Sequence, residues 1–104
     1  MKYSIQYFPS ARQDLKNLAY YLIREYGANE AATNLLGEID RRIMHLENFP
    51  YSHPLYASPM RFSAEIRSFS IKKHIVFYTV REPAHIVEIR RVLYARQDIA
   101  KQEI

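Results

Sequence analysis

Tyr3, Ile5 and Tyr7 alternate with Ser4 and Gln6, the period-two pattern of a strand with one buried face. Pro9 stops that strand. Ser10 is then placed to cap a helix, and Gln13 three residues on completes a capping box. Leu15, Leu18, Ala19, Leu22, Ile23 and Tyr26 follow at helical spacing, and Gly27 falls where a C′ residue with positive φ belongs. The spacing predicts a helix over residues 10–26. Asn29 can cap a second helix whose apolar face is Ala32, Leu35, Leu36, Ile39, Ile43 and Leu46. Gly37 falls inside it at a cost of about 1 kcal/mol relative to Ala, which a close approach of the two helices would explain. The short link between them predicts an antiparallel hairpin.

Residues 48–65 carry Pro50, Pro54 and Pro59 and little periodicity. A loop of this length in a small domain either packs down or has a function. Tyr51, Leu55, Tyr56 and Met60 are expected to tack it onto the core. Residues 66–71, 74–80 and 85–93 read as three strands rich in Val, Ile, Phe, Tyr and Thr. Short links, Lys72 with Lys73 and then residues 81–84, predict hairpins. Ile75, Val76, Phe77 and Tyr78 are apolar at both parities, which marks the central strand. The predicted class is α+β: an N-terminal strand and a helical hairpin packed on a twisted antiparallel sheet of about four strands.

A length of 104 residues fits one domain spanning 1–104. The absence of cysteine excludes a disulfide framework and a thiolate metal site. No stretch approaches the roughly 20 apolar residues of a membrane span, and Lys2 precedes an alternating segment rather than a secretory signal. The expectation is a cytosolic chain without membrane contact. Charge divides it in two. Residues 1–60 hold six Lys/Arg and six Asp/Glu, whereas residues 61–104 hold nine and five, so the whole net charge of +4 falls there. A neutral helical half is joined to a basic sheet half, an asymmetry suited to a polyanion or an acidic partner.

Most catalytic chemistries are excluded by residue type. His45, His53, His74 and His85 are scattered, with no i,i+4 pair and no HExxH motif, so no metal or cofactor is expected. No serine sits in a nucleophile elbow. In the sheet half the carboxylates Glu65, Glu82, Glu88 and Asp98, four of its five, are isolated. Two glycines in all cannot build a phosphate-cradling loop. What remains is basic and aromatic: Arg67, Lys72, Lys73, His74, Arg90, Arg91, Tyr94 and Arg96.

Such a set can cleave RNA without metal when cations stabilise the phosphorane-like charge and another group takes the 2′-OH proton. Tyr94, Lys72 or Lys73 would have to take that proton, and no neighbour in the sequence prepares any of them for it. The same residues serve equally as a binding surface. Arg90 and Arg91 are neighbours on a strand and so face opposite ways. Strict alternation puts Val87, Ile89, Arg91 and Leu93 on one face and Ile86, Glu88, Arg90, Val92 and Tyr94 on the other. One arginine must therefore point towards the core and be paired there or reach the rim. Asp14, on the flank of the first helix away from much of its apolar face, is not assigned as that partner.

In order and spacing, these motifs resemble the RelE/ParE superfamily of small toxins from type II toxin–antitoxin modules, and the ParE branch in particular. Pro9, Ala11, Asp14 and Leu15 are similar to the P-x-A-x-x-D-L opening of the family's first helix. Gly27 with Ala31 and Ala32 resembles its helix junction, and Ile43, Leu46 and Pro50 its I-x-x-L-x-x-x-P exit. Arg67 leads the first hairpin strand, Tyr78 closes the central one, and residues 87–98 look like V-x-I-x-x-V-x-x-A-R-x-D. The resemblance implies a bacterial growth inhibitor, of the kind that stabilises plasmids, held inactive by a cognate antitoxin encoded alongside. A ParE-like chain implies DNA gyrase as target, poisoned without catalysis. A RelE-like chain implies ribosome-dependent mRNA cleavage, with Arg67, Lys72, Lys73, Arg90, Arg91 and Tyr94 as the candidates. Arg67, Lys72, Lys73, Arg90, Tyr94 and Arg96 are the expected target or antitoxin surface. The A-R-Q-D ending and the lack of a dense lysine cluster before the central strand favour the ParE branch.

Overall fold

A computed structural model describes residues 2–27, 30–57 and 64–104. Asn29, Pro59 and Met60, to which the sequence assigned a cap and loop roles, lie outside the described residues. Strand β1 (Ser4–Tyr7) leads into helices α1 (Pro9–Tyr26) and α2 (Glu30–Met44), then a single 3-10 turn (His45–Glu47). Strands β2 (Arg67–Ile71), β3 (His74–Arg81) and β4 (Ile86–Tyr94) follow, and a second short turn (Ile99–Lys101) comes near the end.

Helix α1 starts one residue earlier than expected. Pro9 occupies its first turn after Phe8, and no side chain caps it. Proline suits that position because its fixed φ is already helical and its missing N–H would be unpaired there anyway. Ser10 is therefore free for tertiary use, and its hydroxyl donates to the Arg90 carbonyl at 2.9 Å. Gln13, the other half of the expected capping box, bonds Asn17 within the helix at 2.8 Å. Gly27 ends the helix at φ 71°, as its position predicted, with its N–H on the Ile23 carbonyl. Gly37 does not serve helix–helix contact. A Cβ there would meet only the Arg41 guanidinium, at 3.4 Å.

The sheet order is β1-β4-β3-β2. The three C-terminal strands pair antiparallel, as expected, while β1 joins β4 in parallel and makes the sheet mixed. That follows from the connection: after both helices the chain enters β2 at the far edge, and two antiparallel hairpin turns bring β4 back beside β1 in the parallel sense. On one face α1 and α2 bury Leu18, Leu22, Ile39 and Ile43 against Val76, Tyr78, Val87, Ile89 and Val92. The other face has a smaller cluster, Ile66, Phe77 and Leu93, covered by Tyr56, Ile99 and Ile104. Val76, Phe77 and Tyr78 of β3 are fully buried, which accounts for its apolar character at both parities.

Strict alternation fails in β4. Phe77 faces Arg91 but Tyr78 faces Ile89, so Arg90 is an extra residue in the ladder. This bulge shifts the phase. Val92 joins Val87 and Ile89 on the helix side, and Leu93 goes to the opposite face. The loop over residues 48–57 is also held differently from expectation. Tyr51 and Leu55 are half exposed, and of the expected apolar anchors that are described only Tyr56 packs inward, 4.9 Å from Phe77. The anchors are polar: the Tyr78 hydroxyl donates to the Pro50 carbonyl at 2.9 Å and the Tyr56 N–H to the Ile66 carbonyl at 2.7 Å.

Candidate functional site

The basic residues fall into three separate environments. At the β2–β3 turn, Lys72 adopts φ 52°, a left-handed conformation more usual for Gly or Asn. Lys73 follows it, and its carbonyl accepts the Ala95 N–H at 2.8 Å. The next residue, His74, faces Tyr94 across the β3–β4 ladder, with ring centroids 5.6 Å apart. Lys72, Lys73, His74 and Tyr94 line one end of a groove of about 670 Å³ between the sheet and the helical hairpin. Leu18, Leu22 and Ala32 form its apolar side, and Tyr21 and Tyr26 stand half exposed beside them. Its one carboxylate is Asp14.

Asp14 is already engaged, and it is the partner that the sequence left unassigned. Arg91 Nε and Nη2 donate to its two oxygens at 2.7 and 2.9 Å, and the Val92 N–H donates to it at 2.9 Å. The pair is largely buried, with 15% and 11% of the side chains exposed. The hydrogen bonds to Asp14 hold the Arg91 proton more tightly than usual. The contact is possible because β1 pairs with β4 only as far as Ile89. Beyond it α1 takes over the strand's edge, with Phe8 N–H on the Ile89 carbonyl and Ser10 on that of Arg90. Arg91 also donates to the Glu103 carbonyl at 2.8 Å, and Arg90 to that of Ile104 at 3.0 Å. The Arg90 guanidinium lies 4.6 Å from the Phe8 ring centre, and its Nε is buried without a partner. Both arginines are thus spent on tying α1, β4 and the last residues together.

Arg67 opens β2, about 17 Å from Lys72 by strand rise. It donates to the His53 carbonyl at 2.8 Å and lies 4.9 Å from the Tyr51 ring centre. Arg96 is exposed in the turn after β4. Of the candidate residues, then, the structure gathers Lys72, Lys73 and Tyr94, keeps Arg67 apart, and turns Arg90 and Arg91 inward.

His74 is the residue the sequence underrated. Burial lowers its pKa from the ordinary 6.5, so the ring is neutral at pH 7. Its Nδ1 is buried without a partner. A neutral imidazole beside two ammonium groups can take a proton. The tyrosines whose acidity the fold moves all shift the other way, away from proton acceptance. Tyr3 is pushed up to about 12 by its hydrogen bond to Glu82, and Tyr78 is raised by burial. Among the described residues no His, Asp and Glu group is arranged to hold a metal ion, and no helix is long and apolar enough to cross a membrane.

Two helices over a four-stranded mixed sheet is the fold of the RelE/ParE toxins. The chain superposes on the chromosomal ParDE system of P. aeruginosa with a TM-score of 0.70 at 15% identity, covering 89% of this chain and 96% of that one. The toxin–antitoxin complex RelBE2 of Mycobacterium tuberculosis gives 0.61 at 19% identity, with 90% and 99% covered. Free E. coli RelE, in mutant form, gives 0.58 at 14% identity, with 94% and 88% covered. A comparison with curated protein sequences gave no match. Residues 5–99 match the family model described as "ParE toxin of type II toxin-antitoxin system, parDE". The chain belongs to that family and is a type II toxin.

Proposed function

We propose that this toxin inhibits DNA gyrase by binding it, without catalytic turnover, and that a cognate antitoxin encoded alongside neutralises it. The observation that carries this reading is the separation of the RelE-like arginines from Lys72, Lys73 and Tyr94. Arg67 lies at the far end of β2 from Lys72, and Arg90 and Arg91 are consumed by internal contacts with Phe8, Asp14 and the last residues. A cleavage site needs several cations converging on one phosphate. The family match supports a toxin paired with an antitoxin. The antitoxin, as an acidic amphipathic segment, suits the groove whose apolar side is Leu18 and Leu22 and whose mouth carries Lys72 and Lys73. Supercoiling by purified gyrase is the test. Inhibition by excess toxin, relieved by antitoxin, is expected, and unimpaired supercoiling at high excess rules the reading out.

One observation favours a second reading, ribosome-dependent mRNA cleavage. His74 is neutral, lines the groove beside Lys72 and Lys73, and faces Tyr94 across the ladder. Under this reading it takes the 2′-OH proton, and toxin-dependent breaks in translated mRNA vanish in His74→Ala. Intact mRNA after toxin induction excludes it.

A further inference from the structure

A second basic cluster sits away from the groove, where α2 ends. Arg41 and Arg42 close the helix, His45 follows, and His53 returns from the loop, all lining a concavity of about 510 Å³. Glu38 is its one carboxylate. Among the described residues Glu38, Arg41 and Arg42 form no ion pair, whereas Arg91 and Arg81 both do. An aromatic face holds Arg42 instead. Arg42 lies 4.9 Å from the Phe69 ring centre, and His53 stacks on the same ring at 4.6 Å. His45 stacks on Phe49 at 4.8 Å, and Phe49 is itself 55% exposed. Arg67 positions His53 by holding its carbonyl.

A helix C-terminus favours basic side chains, which accounts for Arg41 and Arg42. It does not account for two histidines brought in from a turn and a loop, nor for an exposed phenylalanine stacked on one of them. After burial, the charges of Arg42 and His45 are what depress the pKa of His53. The cluster repels itself, and a bound anion would relieve it. Two guanidinium forks suit phosphate oxygens, and an open aromatic face beside them suits an unstacked base. A carboxylate-bearing peptide would satisfy the arginines and leave the Phe49 face unused.

We propose that Arg41, Arg42, His45 and His53 bind the phosphate backbone of single-stranded nucleic acid, with a base stacked on Phe49. The site is separate from the Lys72 groove and independent of which target the toxin inhibits. Arg67, expected from sequence to touch a ligand, acts here as a positioning residue.

The test is fluorescence anisotropy of the purified chain with a short labelled single-stranded oligonucleotide, using inorganic phosphate as competitor. Arg41→Gln and Phe49→Ala should each weaken binding about tenfold, while Lys16→Gln, an equal charge change at an exposed site on α1, should alter it by less than about twofold. Circular dichroism checks that each variant is folded. Equal weakening by Arg41→Gln and Lys16→Gln would reduce the effect to diffuse charge and overturn the proposal. So would displacement by inorganic phosphate with no loss in Phe49→Ala, which would leave a free-phosphate site. Absence of oligonucleotide binding at low salt overturns it outright.

Discussion

Asp14 on α1 accepts two hydrogen bonds from the Arg91 guanidinium and a third from the Val92 N–H, all between 2.7 and 2.9 Å. One carboxylate thereby fastens the first helix to the open edge of β4 and neutralises an arginine that would otherwise be buried alone. Asp14→Ala leaves both the guanidinium and the amide without their acceptor, at an expected cost of about 2–4 kcal/mol. The double variant Asp14→Ala/Arg91→Met should recover part of that loss, because the stranded charge goes with the arginine. Urea unfolding of the two variants against the parent checks both statements.

Gly37 lies inside α2 with room for a methyl group, the nearest atom being the movable end of Arg41. Gly37→Ala should stabilise the protein by up to about 1 kcal/mol, through helix propensity alone. A shift of the denaturation midpoint to higher urea, with the slope unchanged, is the expected result. A fall in stability would show that the neighbouring guanidinium cannot move aside.

Burial lowers the pKa of both His53 and His74 below the ordinary 6.5. A histidine with a depressed native pKa binds fewer protons folded than unfolded. Stability is therefore fully present above pH 6.5 and declines as the pH falls from 6.5 towards the native value, by no more than about 1.4 kcal/mol per pH unit for each histidine. Unfolding free energies between pH 7.5 and 5.5 should show this decline, and it should be smaller in His74→Phe. An identical pH profile in that variant would contradict the assignment.

Lys72 holds φ 52° at a position where glycine carries no steric cost. Lys72→Gly is expected to leave stability unchanged or raise it by up to about 1 kcal/mol, while weakening capture of the partner that fits the groove. Thermal unfolding and antitoxin binding measured on the same preparation separate the two effects. Equal antitoxin affinity in parent and variant would remove Lys72 from that surface.

The tyrosine pair on Glu82 offers a spectroscopic check. Tyr3 and Tyr51 both donate to Glu82 Oε2, at 2.5 and 2.8 Å, and Tyr3 is pushed up to about 12. Its contact is present below pH 10 and is lost as the pH rises through 12. In an ultraviolet tyrosinate titration, Glu82→Gln should bring the latest-ionising tyrosine to lower pH.

Much of this molecule was legible in its residue pattern. Both helices, the three C-terminal strands, the positive φ at Gly27 and the central burial of β3 follow from periodicity and side-chain type, which act over a few neighbouring residues. The family motifs were legible for the same reason. Three matters were decided elsewhere. The parallel pairing of β1 depends on where the chain re-enters the sheet after two helices, at the far edge, so that β4 rather than β2 reaches β1. The bulge at Arg90 depends on the partner strand, and it reverses the face assigned to Val92. The fate of the basic residues depends on distance through space: Asp14 reaches Arg91 across 77 positions of sequence, and Arg67 reaches back to the loop rather than to Lys72. Sequence determined which residues were available to carry charge. Only the tertiary structure decided which charges are neutralised inside and which face a partner, because a salt bridge is set by geometry that no local pattern encodes.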